Sequence, residues 1–372
     1  MSSNRRNFIK HSLLAAAAVQ LGTISSATTA APMKKYRKIA TEEGFRVPAL
    51  AEAQQKFYSS PLSKQNGFSA MGHYYGIYRV QKDWDGKAKN LGEQRIEVMD
   101  KYGIDMHLLQ LSGSWIQLID AKAGTAAAKI ANNYLADAVA KYPTRFAGLT
   151  ALAPQDPQEA VKEIERGINL GLCGALLQSN VQGQYLDNEK FLPVFEAAEA
   201  LEVPIYLHPS FPSPGMVDPM IEYGLMGPMF GFSTEAALNT LRLILSGLFD
   251  RHPGLTIVLG HLGEGIPYFL NRIDTHYAKT IERQTYQLKH KPSDYFRKHF
   301  YVTSSGMNFE DEVMFCHQVL GADKVLYAID YPYEEMDTNT DVLNNIPLPE
   351  TDKELFFHGN AERVFNIGNS AS

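Results

Sequence analysis

The chain has 372 residues, of which 45% are hydrophobic and 20% charged, with a formal net charge of −6. This composition is typical of a folded globular protein and excludes disordered, collagen-like and highly charged tail proteins. The acidic balance offers no positive surface for nucleic acid or for an anionic membrane, so we expect neither as a partner of the mature protein. Two cysteines, Cys173 and Cys316, are too few for a disulfide framework, and we expect both to be buried apolar side chains.

The first 31 residues have the pattern of an export signal. Arg5 and Arg6 lie in a short basic segment with Lys10, and an apolar run (12–22) leads to small residues that end near Ala30. The run is shorter than the roughly 20 residues that span a bilayer, so an uncleaved anchor is a weaker alternative, as is an amphipathic helix. The paired arginines indicate a twin-arginine signal peptide, export by the twin-arginine translocase and a periplasmic mature protein.

After the signal, short apolar segments alternate with segments of helical period. Helical spacing is clear in 127–142 and in 156–172, where Asp156 and Pro157 form a start signal. The predicted strands are 38–43, 107–112, 146–152, 174–178, 204–208, 256–261, 300–304 and 325–330. Strands that alternate with helices in this way predict an α/β fold, a (β/α)8 TIM barrel in one domain of residues 32–372. A doubly wound open sheet is the alternative, but no G-x-G-x-x-G follows the first strand.

Three connections between these elements are long. They cover about 44–103, 209–235 and 265–299, which places insertions after strands one, five and six. Long insertions after barrel strands commonly build the mouth of an active site or a subunit interface. We expect the second of them to form an ordered lid.

Carboxylate and imidazole side chains gather where predicted strands end. They are Glu42 and Glu43 on strand one, His208 on strand five, His261 with Glu264 after strand six, and Asp330 on strand eight. In a barrel these ends converge on one face, where catalytic groups lie. Because strand side chains alternate in direction, only one of the two adjacent glutamates can point into the mouth. Such a mixed nitrogen and oxygen set suits a divalent metal such as Zn2+ or Mn2+, with positions left open for substrate or water.

Five segments resemble sequence blocks of the amidohydrolase superfamily. They are K-I-A-T-E-E-G-F, I-Y-L-H-P, L-G-H-L-G-E-G-I-P-Y, A-I-D-Y-P-Y and H-G-N-A-E-R-V-F. The resemblance is to the aminocarboxymuconate-semialdehyde-decarboxylase-like branch, which includes hydroxybenzoate decarboxylases, and within it to the 5-carboxyvanillate type above all. It runs over nearly all of the mature chain and is densest in 218–274.

The resemblance implies a role for each residue at the strand ends. It makes Glu42, His208 and Asp330 the metal ligands. It assigns His261 to contact with the substrate and Glu264 to the orientation of that imidazole. Asp330 would also act as the acid that protonates the ring carbon bearing the carboxylate.

The resemblance implies the residues that contact the substrate less directly than it implies the metal ligands. Arg272 matches an arginine that the family's dimers supply to the neighbouring subunit, which implies a homodimer or homotetramer. Arg79 lies near the place of a substrate arginine in the carboxyvanillate type, although the spacing differs by several residues. Trp115 either lines the pocket or packs in the interior, and Phe232 either walls an aromatic substrate or belongs to the core or an interface.

One departure from the family bears on the metal. Many relatives carry E-x-H on strand one, and Gly44 occupies the histidine position here. The carboxyvanillate type also lacks that histidine and binds manganese, so Mn2+ is favoured as the single divalent ion, with Zn2+ as the alternative.

The function that the resemblance implies is metal-dependent, nonoxidative decarboxylation of a hydroxylated or methoxylated aromatic acid. The metal would chelate the carboxylate and the phenolate of the substrate, in a carbon–carbon lyase of aromatic catabolism. A metal-dependent hydrolase of the same superfamily, a lactonase or amidase, is the alternative. A non-catalytic barrel that binds aromatic acids is a third interpretation.

Overall fold

The computed structural model of the protein describes residues 36–65 and 68–368. The predicted signal peptide therefore lies outside the described residues. The strands are β1 Ile39–Phe45, β2 Met106–Leu111, β3 Phe146–Gly148, β4 Thr150–Ala151, β5 Ala175–Gln178, β6 Asn180–Val181, β7 Gln184–Tyr185, β8 Ile205–His208, β9 Ile257–Leu259, β10 Phe300–Thr303 and β11 Val325–Leu326.

Helices separate the strands along the chain. They are Ala51–Tyr58, Pro61–Gln65, Phe68–Gln81, Trp84–Lys89, Glu93–Tyr102, Trp115–Leu118, Ala121–Lys141, Pro157–Asn169, Leu192–Ala200, Pro214–Ile221, Gly231–Leu245, Leu248–Arg251, Ile266–Thr280, Pro292–His299, Glu310–Leu320, Met336–Asn344, Glu350–Glu354 and Asn360–Phe365. Within the described residues, no helix is long and apolar enough to cross a membrane.

Parallel pairing joins the strands into a closed barrel. β1, β2 and β3 pair in that order, and β4, β5, β8, β9, β10 and β11 continue in one sheet. β3 and β4 form a single barrel strand that is interrupted at Leu149, where the pairing partner changes from β2 to β5. The ring closes because the Thr41 N–H donates to the Tyr327 carbonyl at 3.0 Å and the Gly44 N–H to the Tyr331 carbonyl at 2.7 Å. The predicted (β/α)8 barrel is confirmed.

The helix limits follow from local capping. Asp156 caps the helix Pro157–Asn169 by accepting the Glu159 N–H at 3.2 Å, as its position before a proline predicts. The helix Ala121–Lys141 begins six residues before the prediction of 127–142, since the Asp120 side chain accepts the Ala123 N–H at 2.9 Å. Alanine in its first turn favours a helix, but it does not produce the helical spacing of apolar residues from which the start of the helix was predicted.

Two predicted strands end two or more residues earlier than expected. β9 stops at Leu259 and β11 at Leu326, whereas the predictions extended to His261 and Asp330. His261 lies two residues after β9 and Asp330 four residues after β11, and both have a positive φ, 50° and 76°, which an extended strand does not allow. Both residues whose chemistry matters therefore lie in the connections beyond the carboxyl ends of their strands.

The core fills and surrounds the barrel. All seven residues of β1 are buried, because parallel strands are covered on one face by the barrel interior and on the other by helices. Cys316 belongs to this core, whereas Cys173 is half-buried, so the expectation of full burial was wrong for that thiol. The reason is its place in the turn before β5, directly after Gly171 and Leu172 at the rim of the barrel.

A second, smaller hydrophobic cluster forms in the connection after β8. Phe211, Val217, Met220 and Met226 are buried in it, and Met71 of the helix Phe68–Gln81 packs against them. These residues come from the segments that follow β1 and β8, so the cluster joins two connections at the carboxyl end of the barrel.

Candidate active site

One carboxylate lies at the centre of the barrel mouth. The Glu42 side chain is fully buried, and its Oε2 accepts hydrogen bonds from the hydroxyls of Tyr206 and Ser305 and, at 3.0 Å, from Thr303. Its Oε1 is buried and has no hydrogen-bond partner in the described structure. A buried carboxylate oxygen without a donor costs free energy, so this oxygen requires a cation or a protonated group.

Two imidazoles face that unpaired oxygen. The Nε2 atom of His208 lies 3.4 Å from Glu42 Oε1, and the Nε2 atom of His261 lies 3.5 Å from it. The two rings are 6.0 Å apart between centroids and nearly perpendicular. Each ring therefore directs the same nitrogen at the same point.

The other nitrogen of each ring is held by an acceptor. His208 Nδ1 is 2.8 Å from the Pro209 carbonyl oxygen and 3.2 Å from Gln178 Oε1, and His261 Nδ1 is 2.7 Å from Glu264 Oε1. Because all three partners accept, Nδ1 carries the proton in the neutral ring and Nε2 keeps its lone pair. Metal-binding histidines are oriented in this way by their outer hydrogen bonds.

The two imidazoles differ in charge. Burial lowers the pKa of His208 and outweighs the attraction of Glu42, so this ring is neutral. Burial would also lower the pKa of His261, but the carboxylates of Glu264 and Glu42 raise it well above the usual value. One ring is thus suited to donate a lone pair and the other to carry a proton.

Asp330 completes the cluster. Its Oδ2 lies 4.0 Å from His261 Nε2, and one ligand atom from each of Glu42, His261 and Asp330 falls within 4.8 Å of the others. Burial raises the pKa of Asp330 to about 7, although the nearby His261 imidazole opposes the shift. A carboxyl group with this pKa can hold and release a proton near neutrality.

A left-handed turn places His261 and Glu264. Five consecutive residues, His261 to Gly265, have φ values of 50°, 50°, 75°, 55° and 79°. The left-handed conformation costs about 1–2 kcal/mol for each residue other than glycine. Such strain is found where a function needs the geometry, and here it brings the Glu264 carboxylate against the imidazole three residues earlier.

Glycines make room around the cluster. A Cβ at Gly44 would lie 2.5 Å from the Ser112 hydroxyl oxygen and 2.8 Å from the Tyr333 ring, and a Cβ at Gly260 would lie 2.8 Å from Glu42 Oε2. A side chain at position 44 therefore requires the Ser112 hydroxyl or the Tyr333 ring to move.

The four predicted substrate contacts lie outside this hydrogen-bonded group. Trp115 follows β2 and is 2% exposed, and Phe232 is half-buried with its ring edge-on to Phe211 at 5.2 Å. Arg79 is half-buried and reaches Asp85, with 3.6 Å between Nη2 and Oδ1. Arg272 is exposed on the helix Ile266–Thr280. Their substrate roles remain predictions.

Sequence reading missed the three hydroxyls that hold Glu42. Tyr206 lies two residues before His208 on β8, and Thr303 and Ser305 alternate along β10 and the residues after it. The strand period of two would have placed all of them on the barrel's inner face. Nothing in the sequence showed that they converge on one oxygen, since they come from different strands.

A cavity of about 460 Å³ lies away from this site. Its lining includes Asp250 and Pro253, which precede β9, and Tyr295 and Lys298, which precede β10. It therefore opens at the amino-terminal end of the barrel, whereas the active sites of this fold lie at the carboxyl-terminal end.

The sequence pattern of the family described as amidohydrolase matches residues 70–367. The chain belongs to the amidohydrolase family.

Within the amidohydrolase family, several relatives of this chain are decarboxylases. The γ-resorcylate decarboxylase of Polaromonas sp. is 38% identical over 301 residues, which cover 77% of this chain and 91% of that one. The crystal structure of 5-carboxyvanillate decarboxylase from Sphingomonas paucimobilis is 38% identical, has a TM-score of 0.83, and covers 90% of this chain and 100% of that one.

A third relative contains a metal. The 5-carboxyvanillate decarboxylase of Novosphingobium aromaticivorans, solved with manganese and 4-hydroxy-3-methoxy-5-nitrobenzoic acid, is 37% identical with a TM-score of 0.83. The match covers 89% of this chain and 96% of that one. These relatives confirm the predicted decarboxylase branch of the family.

Proposed function

We propose that this protein is a manganese-dependent, nonoxidative decarboxylase of a hydroxylated or methoxylated benzoic acid, with zinc as the alternative metal. The observation that carries the proposal is the unpaired, buried Glu42 Oε1, which faces two Nε2 atoms beside a second carboxylate. Carboxylate and imidazole donors suit both ions. The relatives that share this fold are decarboxylases of γ-resorcylate and 5-carboxyvanillate.

Glu42, His208 and Asp330 are the proposed ligands. His208 is the neutral ring, so its Nε2 lone pair is available, and its Nδ1 proton is already engaged by Pro209. His261 lies as close to Glu42 and belongs to the tighter geometric group with Asp330, but Glu264 favours its charged form. A charged imidazole is a poor ligand and a good donor to an anionic substrate oxygen.

The bound metal would supply Lewis acidity and a fixed orientation to the carboxylate and phenolate of the substrate. His261, oriented by Glu264, donates a hydrogen bond to the substrate. Asp330 delivers its proton to the ring carbon that bears the carboxylate, which interrupts the aromatic system. The electrons of the carbon–carbon bond then return to the ring as CO2 leaves, and the Asp330 carboxylate takes up a new proton from solvent.

The site also depends on its surroundings. We propose that Trp115 and Phe232 contact the aromatic ring and that Arg79 contributes charge from the connection after β1. Arg272 is proposed to serve the site of a neighbouring subunit in a homodimer or homotetramer. The exposed aromatic side chains Tyr268 and Phe269 on the same helix support burial of this surface in an oligomer.

The cellular location is proposed from the sequence. The basic, apolar and small-residue segments before Ala30 support export by the twin-arginine route and a periplasmic mature protein. The size of the purified native protein and its fraction after cell fractionation test this directly. A protein that keeps its first 30 residues and remains in the cytoplasm would contradict it.

The proposed roles of the two histidines can be separated. His208→Ala should lose bound Mn2+, while His261→Ala should retain it and lose CO2 release from γ-resorcylate or 5-carboxyvanillate. Metal content by elemental analysis and CO2 release are measured on both variants beside the wild type. Retention of Mn2+ by His208→Ala would overturn the ligand assignment. A loaded wild type that releases no CO2 across a panel of hydroxybenzoates, but opens lactones or amides, would replace the decarboxylase with the hydrolase.

A further inference from the structure

The second glutamate of β1 points away from the mouth and is also fully buried. Glu43 Oε1 accepts the Ile329 N–H at 3.0 Å, and Glu43 Oε2 accepts the Tyr331 N–H at 2.8 Å. These two amides flank Asp330. One side chain therefore bonds the backbone on both sides of the residue that the proposed function makes a ligand and an acid.

The amide between them is also held by β1. The Asp330 N–H donates to the Glu42 carbonyl oxygen at 3.1 Å. Three consecutive amides, 329 to 331, thus all donate to two adjacent glutamates. Asp330 has a φ of 76°, which an L-residue adopts only where neighbouring contacts over-determine it.

A buried cation lies behind this arrangement. The Arg95 guanidinium stacks over the Tyr331 ring at 4.9 Å, and its Nη2 donates to the Gly44 carbonyl at 2.7 Å. Arg95 is 1% exposed; burial lowers the pKa of its guanidinium, and the nearby Tyr331 and Glu43 oppose that shift. The cation thus contacts the residue that follows Glu43 and the residue that follows Asp330, one on each side of the barrel closure.

We propose that Glu43 is a positioning residue that clamps the backbone of Asp330 and so sets the distance between the Asp330 and Glu42 carboxylates. This inference rests on the proposed metal-binding role of these two groups. The clamp needs two acceptor oxygens on one side chain, because each of them receives an N–H. A glutamine would offer one acceptor and direct its NH2 group at the other amide.

The test compares Glu43→Gln with a matched buried carboxylate. Glu163 is 2% exposed and accepts from Asn132 at 2.7 Å and Arg166 at 2.9 Å, on a helix outside the barrel. Both variants lose one acceptor of a buried carboxylate. Glu43→Gln should weaken Mn2+ binding about 10–100-fold, as loss of an outer support does in metal sites, while Glu163→Gln should bind Mn2+ as the wild type does.

Two measurements give the result without substrate. Mn2+ affinity is measured by electron paramagnetic resonance of the free ion, and hydrogen–deuterium exchange is followed by mass spectrometry in the peptide 325–333. Exchange in that peptide should rise in Glu43→Gln and remain unchanged in Glu163→Gln. Aspartate at position 43 keeps both carboxyl oxygens but is shorter by about 1.5 Å, one carbon–carbon bond, so Glu43→Asp should also lose the hydrogen bonds to the two amides. This variant replaces Glu43→Gln in the test if Glu43→Gln does not fold.

Unchanged Mn2+ affinity or unchanged exchange at 325–333 in the folded Glu43 variant would overturn the clamp. A wild type that binds Mn2+ but releases no CO2 would refute the decarboxylase and leave the clamp in place. A wild type that binds no Mn2+ would overturn both.

Discussion

Removal of the Tyr206 hydroxyl tests how Glu42 is held. This phenol donates to Glu42 Oε2 and is fully buried, so Tyr206→Phe leaves the carboxylate with donors from Thr303 and Ser305 alone. A hydrogen bond to a charged group contributes about 1.5–3 kcal/mol. Since about 1.4 kcal/mol corresponds to a factor of ten in affinity, loss of the whole contribution of this hydrogen bond would weaken Mn2+ binding roughly 10–100-fold. Because two donors remain, we expect Mn2+ affinity to fall about tenfold, at the lower end of this range.

A second buried tyrosine provides the control. Tyr327 is fully buried, and its hydroxyl has no hydrogen-bond partner in the described structure. Tyr327→Phe should therefore leave Mn2+ affinity unchanged and raise or preserve the melting temperature. Both variants are titrated with Mn2+ under the same conditions as the wild type. Equal affinity in Tyr206→Phe and Tyr327→Phe would refute the reasoning.

Three further predictions concern pH, packing and thiol chemistry. Burial raises the pKa of Asp330 to about 7, so protons compete with Mn2+ for its carboxylate. The affinity of the protein for Mn2+ should therefore fall about tenfold per pH unit below pH 7 and level off above it. An Mn2+ affinity that stays constant from pH 6 to 8 would contradict this. Gly44→Ala places a Cβ 2.5 Å from the Ser112 hydroxyl oxygen and should lower the free energy of unfolding in urea by about 1–3 kcal/mol, whereas Gly72→Ala, with open space around it, should not. Burial raises the pKa of the Cys316 thiol to about 12, which reduces its thiolate at pH 8 about 1000-fold, so iodoacetamide should label Cys316 only after unfolding; rapid labelling of Cys316 in the native protein would count against its burial.

The barrel and the strand-end residues were predictable because they depend on local patterns. Short buried strands alternate with helices that carry their own caps, as at Asp156, and each strand places its last polar side chain at the same end of the barrel. Glu42, His208, His261, Glu264 and Asp330 therefore came together as expected from their positions alone. The alternation of strand side chains also predicted that Glu42 and Glu43 face opposite sides.

The supporting contacts were not predictable, since they join distant strands. Tyr206, Thr303 and Ser305 are ordinary hydroxyl residues in the sequence, and only the closed barrel brings them to one oxygen. The left-handed turn at His261 was also missed, because Leu262 and Glu264 rarely adopt a positive φ. Tertiary contacts impose it, so a local reading extends β9 too far.

The most direct test of the central claim is decarboxylation in D2O, followed by proton nuclear magnetic resonance. The Mn2+-loaded protein is incubated with γ-resorcylate and with 5-carboxyvanillate, beside the Asp330→Asn variant. Proton delivery from Asp330 predicts a product with one deuterium at the carbon that carried the carboxylate, formed by the wild type and not by Asp330→Asn. Deuterated product at the wild-type rate from Asp330→Asn, or turnover that forms a new carboxylate and no carbon–deuterium bond, would contradict the account.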